Sequence, residues 1–504
     1  MARVAMRFLG QHTPIPTSLP FDPMLRLANA RKSTAVSAST LVLLLLSAAA
    51  TAGVIITGKA ISFWFFGALV IVAAGAFFLL LRSETKRPSV PCWLVFGAVA
   101  VLMVIAVALP PRTSNDVWAY SIYGRIVTAH EASPYVHYPE EYPSDPYFPR
   151  AKRGYHNIRS VYGPVWTGLS AGVMEIANEN KTGARLLFQG IAAASVLGAL
   201  ALLWRRTKDA AVLAFAGLNP IVAASVVNGG HNDALLGLTV LGGAFAAPAH
   251  PIIAGLVLGL GASIKIVGLL PLAAVAAWAW YRRGVRHAAV LLGSGLALVV
   301  AGYLLAGGRD ALRPLGRGSR LVVGHSFWFY PRRWIAASLQ ATGLTRLSAL
   351  DGAGHQIALY GTGLVLFVTF IVILAHFRKQ RPEQLAGASL APYLFGAQYT
   401  LPWYPAWLLP SLATSRKTLL ARLVAVQSVL LLTVDPDRYV HIHGLAGNVV
   451  HGLKRFGIPI FEVVVIIGLV IGGIMQLVRR RPKSGRAALP ESVLEDRATS
   501  AVRG

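Results

Sequence analysis

Apolar runs of about twenty residues, closed by short basic loops, recur along this chain and limit what it can fold into more than any other feature. The first three occupy about 36–57, 61–81 and 90–110. A bilayer core about 30 Å thick needs roughly 20 helical residues to cross it, so runs of this length predict membrane spans. Composition agrees. The chain is 55% hydrophobic and only 13% charged, about half the charged fraction of an ordinary soluble domain. The expected class is an all-α polytopic membrane protein.

The basic residues set the orientation. Arg82-Ser83-Glu84-Thr85-Lys86-Arg87, Arg205-Arg206-Thr207-Lys208, Tyr281-Arg282-Arg283, Arg378-Lys379-Gln380-Arg381, Arg416-Lys417 and Arg479-Arg480-Arg481 fall on one side if the spans alternate, and the positive-inside rule makes that side cytoplasmic. The apolar stretch that Val161-Tyr162-Gly163-Pro164-Val165-Trp166 opens, to about Ala177, then lies along the outer interface instead of crossing. Further spans are expected at about 184–204, 210–228, 231–248, 252–265, 266–281, 288–306, 355–377, 384–398, 403–415, 418–434 and 457–478, several of them short enough to be broken or tilted. The expectation is one domain over 36–478 with about fourteen transmembrane helices and two large outer-face loops, about 111–183 and 307–354. A cytoplasmic segment, 1–35, precedes it, and a basic, disordered tail, 479–504, follows. Both termini are then cytoplasmic, in a multi-pass protein of the plasma membrane. Leu41–Leu46 followed by Ser47-Ala48-Ala49-Ala50 resembles a signal peptide, but the apolar run continues to Ile56 and reads better as a span.

The net charge of +27 brings no nucleic-acid motif with it, so retained cytoplasmic basic residues account for it and no nucleic-acid partner is expected. Cys92 is the single cysteine, which excludes an intramolecular disulfide. There is no Walker loop, dinucleotide fingerprint or zincin motif. Asp435-Pro436-Asp437-Arg438-Tyr439-Val440-His441-Ile442-His443 mixes acids and histidines without a fixed metal-ligand spacing.

Against this background, polar groups at membrane boundaries are the candidates for function. Thr113-Ser114-Asn115-Asp116-Val117-Trp118-Ala119-Tyr120 follows directly on the third run and its Pro110-Pro111. In a helix from Val117, Asp116, Tyr120 and Tyr123 share one face, and Trp118, Ile122 and Arg125 another. Asp116 is either a helix cap or a reacting carboxylate. Asn228-Gly229-Gly230-His231-Asn232-Asp233 forms a tight turn that either connects and caps two helices or brings His231, Asn232 and Asp233 to a ligand. Lys265, in the otherwise apolar 252–280, either snorkels or meets an anion such as a phosphate. His325-Ser326-Phe327-Trp328-Phe329-Tyr330-Pro331-Arg332-Arg333 joins aromatics to two guanidinium groups suited to phosphate. Tyr399-Thr400-Leu401-Pro402-Trp403-Tyr404-Pro405-Ala406-Trp407 is an aromatic belt or a platform for a sugar face.

Taken together and in order, several motifs resemble the type C glycosyltransferases. They are the acidic residue after an early outward helix, Asp145-Pro146-Tyr147, Tyr162-Gly163-Pro164, Asn219-Pro220 ahead of Gly230-His231-Asn232-Asp233, Gly261–Lys265 and Leu401-Pro402-Trp403-Tyr404. Over about 90–480 the chain is most similar to actinobacterial polyprenyl-phosphomannose-dependent α-1,6-mannosyltransferases. The resemblance implies a lipid-linked donor, polyprenyl-phosphate-mannose, and transfer with inversion to a glycan or lipoglycan acceptor hydroxyl on the outer face. It implies Asp116 as general base, with Lys265 and Arg332 or Arg333 on the donor phosphate. Tyr120, Arg125, Asp145, Tyr162, His231, Asn232, Asp233, His325, Trp403 and Tyr404 are the expected substrate-binding residues. Cationic side chains can stabilise the leaving phosphate, so neither a metal nor a cofactor is expected. Membrane lipids complete the expected partners. The alternative is a transporter or flippase of a lipid-linked sugar, which should place its charges at the bilayer midplane between related halves.

Overall fold

The computed structural model describes residues 36–57, 63–112, 114–151, 153–318, 322–341, 347–434 and 444–479. Every regular element among them is helical. In chain order these are α1 (Ala38–Thr57), α2 (Phe63–Lys86), α3 (Cys92–Ala108), α4 (Asp116–Thr128), α5 (Pro164–Ala177), α6 (Lys181–Thr207), α7 (Ala210–Gly217), α8 (Asp233–Ala246), α9 (Pro251–Ile264), α10 (Leu269–Arg283) and α11 (Val285–Leu305). They continue with α12 (Arg309–Gly318), α13 (Phe329–Ala341), α14 (Leu347–Phe377), α15 (Pro382–Ala388), α16 (Ala391–Gly396), α17 (Leu419–Val434), α18 (Gly444–Gly452) and α19 (Ile458–Arg479).

Six stretches are long and apolar enough to cross a membrane: Ala38–Thr57, Trp64–Lys86, Lys181–Thr207, Val285–Leu305, Ala358–His376 and Gly444–Met475. The chain is therefore a helical membrane protein with several spans. The remaining apolar helices are shorter. α8 and α9 have 14 residues each, a rise of about 21 Å and less than the bilayer core. Three stretches expected as single spans are interrupted. Over 210–228, Asn219-Pro220 separates α7 from a π-helical turn, Val222–Val227. Residues 384–398 divide into α15 and α16, and 403–415 is a series of single turns, because prolines at 392, 402, 405 and 410 deny the helix its backbone donors. The two expected loops are also largely helical. The segment 111–183 contains α4 and α5, and 307–354 contains α12, α13 and the start of α14. The expected reading of Asp435–His443 lies outside the described residues.

Local chemistry explains where helices start and stop. Asp209 accepts from the backbone N–H of Ala211 and Val212 at the start of α7 and pairs with Arg416 at 2.8 Å. Proline occupies the first turn of α5, α9 and α15, where its missing N–H costs nothing. α9 lies directly on α11 with glycines at the crossing. A Cβ on Gly255 or Gly259 would strike the α11 backbone at Leu291 or Gly295, the close approach that drives helix association in lipid.

One junction positions the site. The C-terminal carbonyls of α3 have no partners within the helix. Asn228 Nδ2 donates to Ala106, Leu109 and Pro110 O at 3.0–3.3 Å. Gln189 Nε2 donates to Ala106, Leu109 and Asn228 O, and Arg185 to Val107 and Leu109 O. Asn228 Oδ1 in return accepts from Arg112 N at 2.8 Å. The chain leaving α3 is thus stitched to the 228–232 turn. Gly230 there has φ +62, and a Cβ on it would meet Val117. Only glycine combines that conformation with that proximity.

Candidate active site

Asp116 is the first residue of α4, behind an N-cap Asn115 that makes no side-chain cap bond. Its carboxylate does not turn back to the helix, which removes capping as its role. Tyr155 Oη, on a single helical turn Arg153–His156, donates to Asp116 Oδ1 at 2.5 Å. Asp116 Oδ2 lies 3.4 Å from His231 Nδ1. The His231 ring, fully buried, stacks on Trp403 with centroids 3.7 Å apart. Burial alone would raise the Asp116 pKa. The His231 contact, the Tyr155 hydroxyl and the Lys265 charge outweigh it and hold the carboxyl down at about 2. Tyr155 moves the other way, well above the usual phenol value, through burial and the adjoining carboxylate.

Two residues after His231, Asp233 opens α8 and likewise does not cap it. Its Oδ1 accepts from Lys265 Nζ at 2.7 Å and from Trp407 Nε1 at 2.5 Å. Lys265 stands where α9 breaks, in extended backbone (φ −149, ψ 125) before the short turn into α10. Its ammonium lies 4.7 Å from the Tyr404 ring centroid and 5.2 Å from that of Trp407, within cation–π range. Its counter-ion within the fold is Asp233. Gly163 N donates to Ile264 O at 3.0 Å, which ties the Tyr162-Gly163-Pro164 entry of α5 to the Lys265 break.

The structure therefore brings Asp116, His231, Asp233, Lys265, Trp403 and Tyr404 into one contiguous cluster. Trp403, Tyr404 and Trp407 are at most 5% exposed. That is too buried for a belt at the headgroup level, and their rings are spent on His231 and Lys265. Asn232 lies in the same turn, 1% exposed, with neither side-chain polar atom hydrogen-bonded among the described residues. His231 Nε2, Asp233 Oδ2 and the Tyr120 hydroxyl share that condition. Buried polar atoms without a partner are uncommon in folded proteins, and several of them gather here.

Tyr120 and Tyr162 border this cluster, where burial and the Asp116 charge raise both phenols. Tyr120 and Tyr162 pack edge to face, 4.9 Å apart, in an aromatic core with Trp166 and Phe188. Arg125 pairs with the fully buried Asp145 carboxylate at 2.7 Å, and His130 approaches the same oxygen at 3.0 Å. Their pairing staples α4 to the loop behind it. His325 approaches Thr400 O at 3.1 Å. With Ser326 on Ala397 O and Trp328 on Gly396 O, it fastens the second loop to the segment leading into Trp403. Arg333 is exposed, with its guanidinium over Phe329 one turn back, and Arg332 is half-buried beside it. Tyr155 was not foreseeable, since it is one of several tyrosines in a long loop and no spacing relates it to Asp116. Trp407 ends a motif the sequence does flag, but its carboxylate partner is 174 residues away.

Among the described residues, no group of three or more His, Cys, Asp or Glu is placed to hold a metal ion. The cluster instead offers one ionised carboxylate, an imidazole against it, and an ammonium held by a second carboxylate.

Comparison with known proteins gives this arrangement a family. Residues 26–282 match the MptA_B family, described as Alpha-(1->6)-mannopyranosyltransferase, N-terminal domain. No curated protein and no solved structure matches the chain. The matched region includes Asp116, Tyr155, His231, Asp233 and Lys265, while His325, Arg332, Trp403 and Tyr404 lie beyond it. It spans just over half of the 504 residues, and on that ground the chain belongs to the family of alpha-(1->6)-mannopyranosyltransferases.

Proposed function

We propose that the protein transfers mannose from polyprenyl-phosphate-mannose to a hydroxyl of a glycan or lipoglycan acceptor at the outer face of the plasma membrane. Transfer proceeds with inversion and forms an α-1,6 linkage. The observation that carries this reading is the juxtaposition of an ionised carboxylate, Asp116, with the Asp233–Lys265 pair on either side of the His231 turn.

The chemistry is a single displacement. The acceptor oxygen attacks C1 of mannose from the face opposite the phosphate, and its proton passes to Asp116. The C1–O bond to phosphate breaks, and both its electrons leave with polyprenyl phosphate. Lys265 lies where an ammonium can stabilise that developing charge. Asp233 holds its amine in place, Trp407 Nε1 donates to the same carboxylate oxygen, and the Tyr404 and Trp407 rings flank the ammonium. A lipid-borne donor suits a chain whose polar cluster is carried at the ends of apolar helices. The positive-inside distribution of Lys and Arg supports cytoplasmic termini and an outward-facing site.

Proteoliposomes carrying wild type or Asp116→Asn, supplied with polyprenyl-phosphate-mannose and octyl α-mannoside, test the proposal. Wild type is expected to form an α-1,6-linked disaccharide. The variant should lose about 10³-fold in rate, the range of a positioned general base. Undiminished transfer by folded D116N removes Asp116 from the mechanism. Donor that crosses the bilayer with no transferred mannose would identify a flippase instead.

A further inference from the structure

Asp116 faces a difficulty as a base. Its side chain is only 7% exposed and both oxygens already have neighbours, Tyr155 on Oδ1 and His231 against Oδ2. The two neighbours differ in how they are held. His231 belongs to the turn stitched to α3 and is clamped by the Trp403 ring. Tyr155 arrives from the long loop, on the turn Arg153–His156. That turn hangs between Ala151, whose carbonyl faces His156 Nε2 at 2.9 Å, and Ile158, whose carbonyl accepts from Tyr123 Oη at 2.7 Å.

The Tyr155–Asp116 bond is an O–H donated to a carboxylate oxygen. An acceptor sugar must make the same bond before it can surrender its proton. In so closed a pocket the two hydroxyls compete for one oxygen. We propose that the Tyr155 hydroxyl holds, in the acceptor-free protein, the place on Asp116 that the attacking hydroxyl of the acceptor takes during transfer. This inference rests on the proposed role of Asp116. Tyr155 then does two things. It sets acceptor affinity, because each acceptor must displace it, and it keeps water off the base while donor alone is bound. A glycosyltransferase needs the second property, since water activated by Asp116 would hydrolyse the donor.

Tyr155→Phe tests this by removing the hydroxyl and keeping the ring. With polyprenyl-phosphate-mannose as donor and octyl α-mannoside as acceptor, the acceptor KM should fall about tenfold, the range for a hydrogen bond to a charged group. kcat should stay within about twofold, and release of free mannose without acceptor should rise about tenfold. Tyr155→Leu, which also removes the ring, should shift KM and hydrolysis in the same directions. Unchanged KM and unchanged hydrolysis in both variants overturn the proposal. So does a fall in kcat with constant KM, which would mark Tyr155 as a brace for Asp116, or a rise in KM, which would make it a direct ligand of the acceptor. Failure of the underlying reading is distinguishable, because it shows in D116N, whose transfer would persist whatever Tyr155 does.

Discussion

The Asp233–Lys265 pair allows a quantitative test of what holds the cluster together. Asp233 is fully buried, and Lys265 Nζ and Trp407 Nε1 donate to it. Lys265→Met preserves length and apolar stem but removes the charge. It leaves a buried carboxylate with one neutral donor and abolishes the ammonium's contacts with two rings. Removing one partner of a buried pair costs about 3–5 kcal/mol. The Lys265 side chain is 18% exposed, so water recovers part of that cost and the low end, about 3 kcal/mol, is expected. Asp233→Asn should cost somewhat less, about 2 kcal/mol, because the amide oxygen still accepts from Trp407. The double variant removes both charges together and should be no worse than the weaker single, giving a coupling of about 2–3 kcal/mol. Unfolding in mixed detergent micelles, followed for all four proteins, completes the cycle. Strict additivity would refute the pairing as a stability device. Transfer activity should not recover in the double variant, since Lys265 is also assigned the leaving phosphate.

Two further outcomes follow from the same geometry. Asn228→Leu takes the side-chain partner from the Pro110 carbonyl and the Arg112 amide and removes one of the donors to the Ala106 and Leu109 carbonyls, which keep Gln189. It should destabilise the protein by about 2–3 kcal/mol, and because the turn carries His231, transfer should fall even where the protein remains folded. The pH dependence has a defined sign. Asp116 falls from an ordinary 3.8 to about 2 in the fold, so its stabilising contribution is fully present above 3.8 and is lost as pH falls through about 2. It stays ionised throughout pH 4–8. An acidic limb in kcat/KM near pH 6 that persists in H231Q would show that Asp116 is far less acidic than its surroundings imply.

Much of the molecule can be read from the sequence because its signals are local. Twenty apolar residues must be helical and buried in lipid, so α1, α2, α6 and α11 stand close to where hydropathy puts them. Prolines and short runs obscure the rest. Hydropathy alone does not tell a span from the broken turns of 382–415, since both are equally apolar. Asp116, His231, Asp233 and Lys265 are conspicuous because charge at a membrane boundary is costly and needs a reason. Their partners are not conspicuous. Tyr155 and Trp407 are ordinary residues for a loop and an interface, and only tertiary packing makes them a donor to Asp116 and a donor to Asp233. Arg125 and Asp145 show the limit of residue type, since a buried pair that staples two segments and a binding pair use the same side chains.

The seam between the end of α3 and the 228–232 turn has a mechanical consequence. Asn228, Gln189 and Arg185 bind four backbone carbonyls between Ala106 and Pro110, those of Ala106, Val107, Leu109 and Pro110, with Leu109 taken three times. Asp116 and His231 hang from opposite sides of that seam. Any tilt of α3 within the bilayer therefore carries both groups together, and their separation is insulated from motions of the helices around them. Tyr155 reaches Asp116 from a separate loop, whose turn is joined to α4 by the Tyr123–Ile158 bond as well as by the Tyr155–Asp116 bond. Substrate entry that moves this loop can leave the carboxylate and imidazole in register, so access and alignment are governed by different parts of the chain.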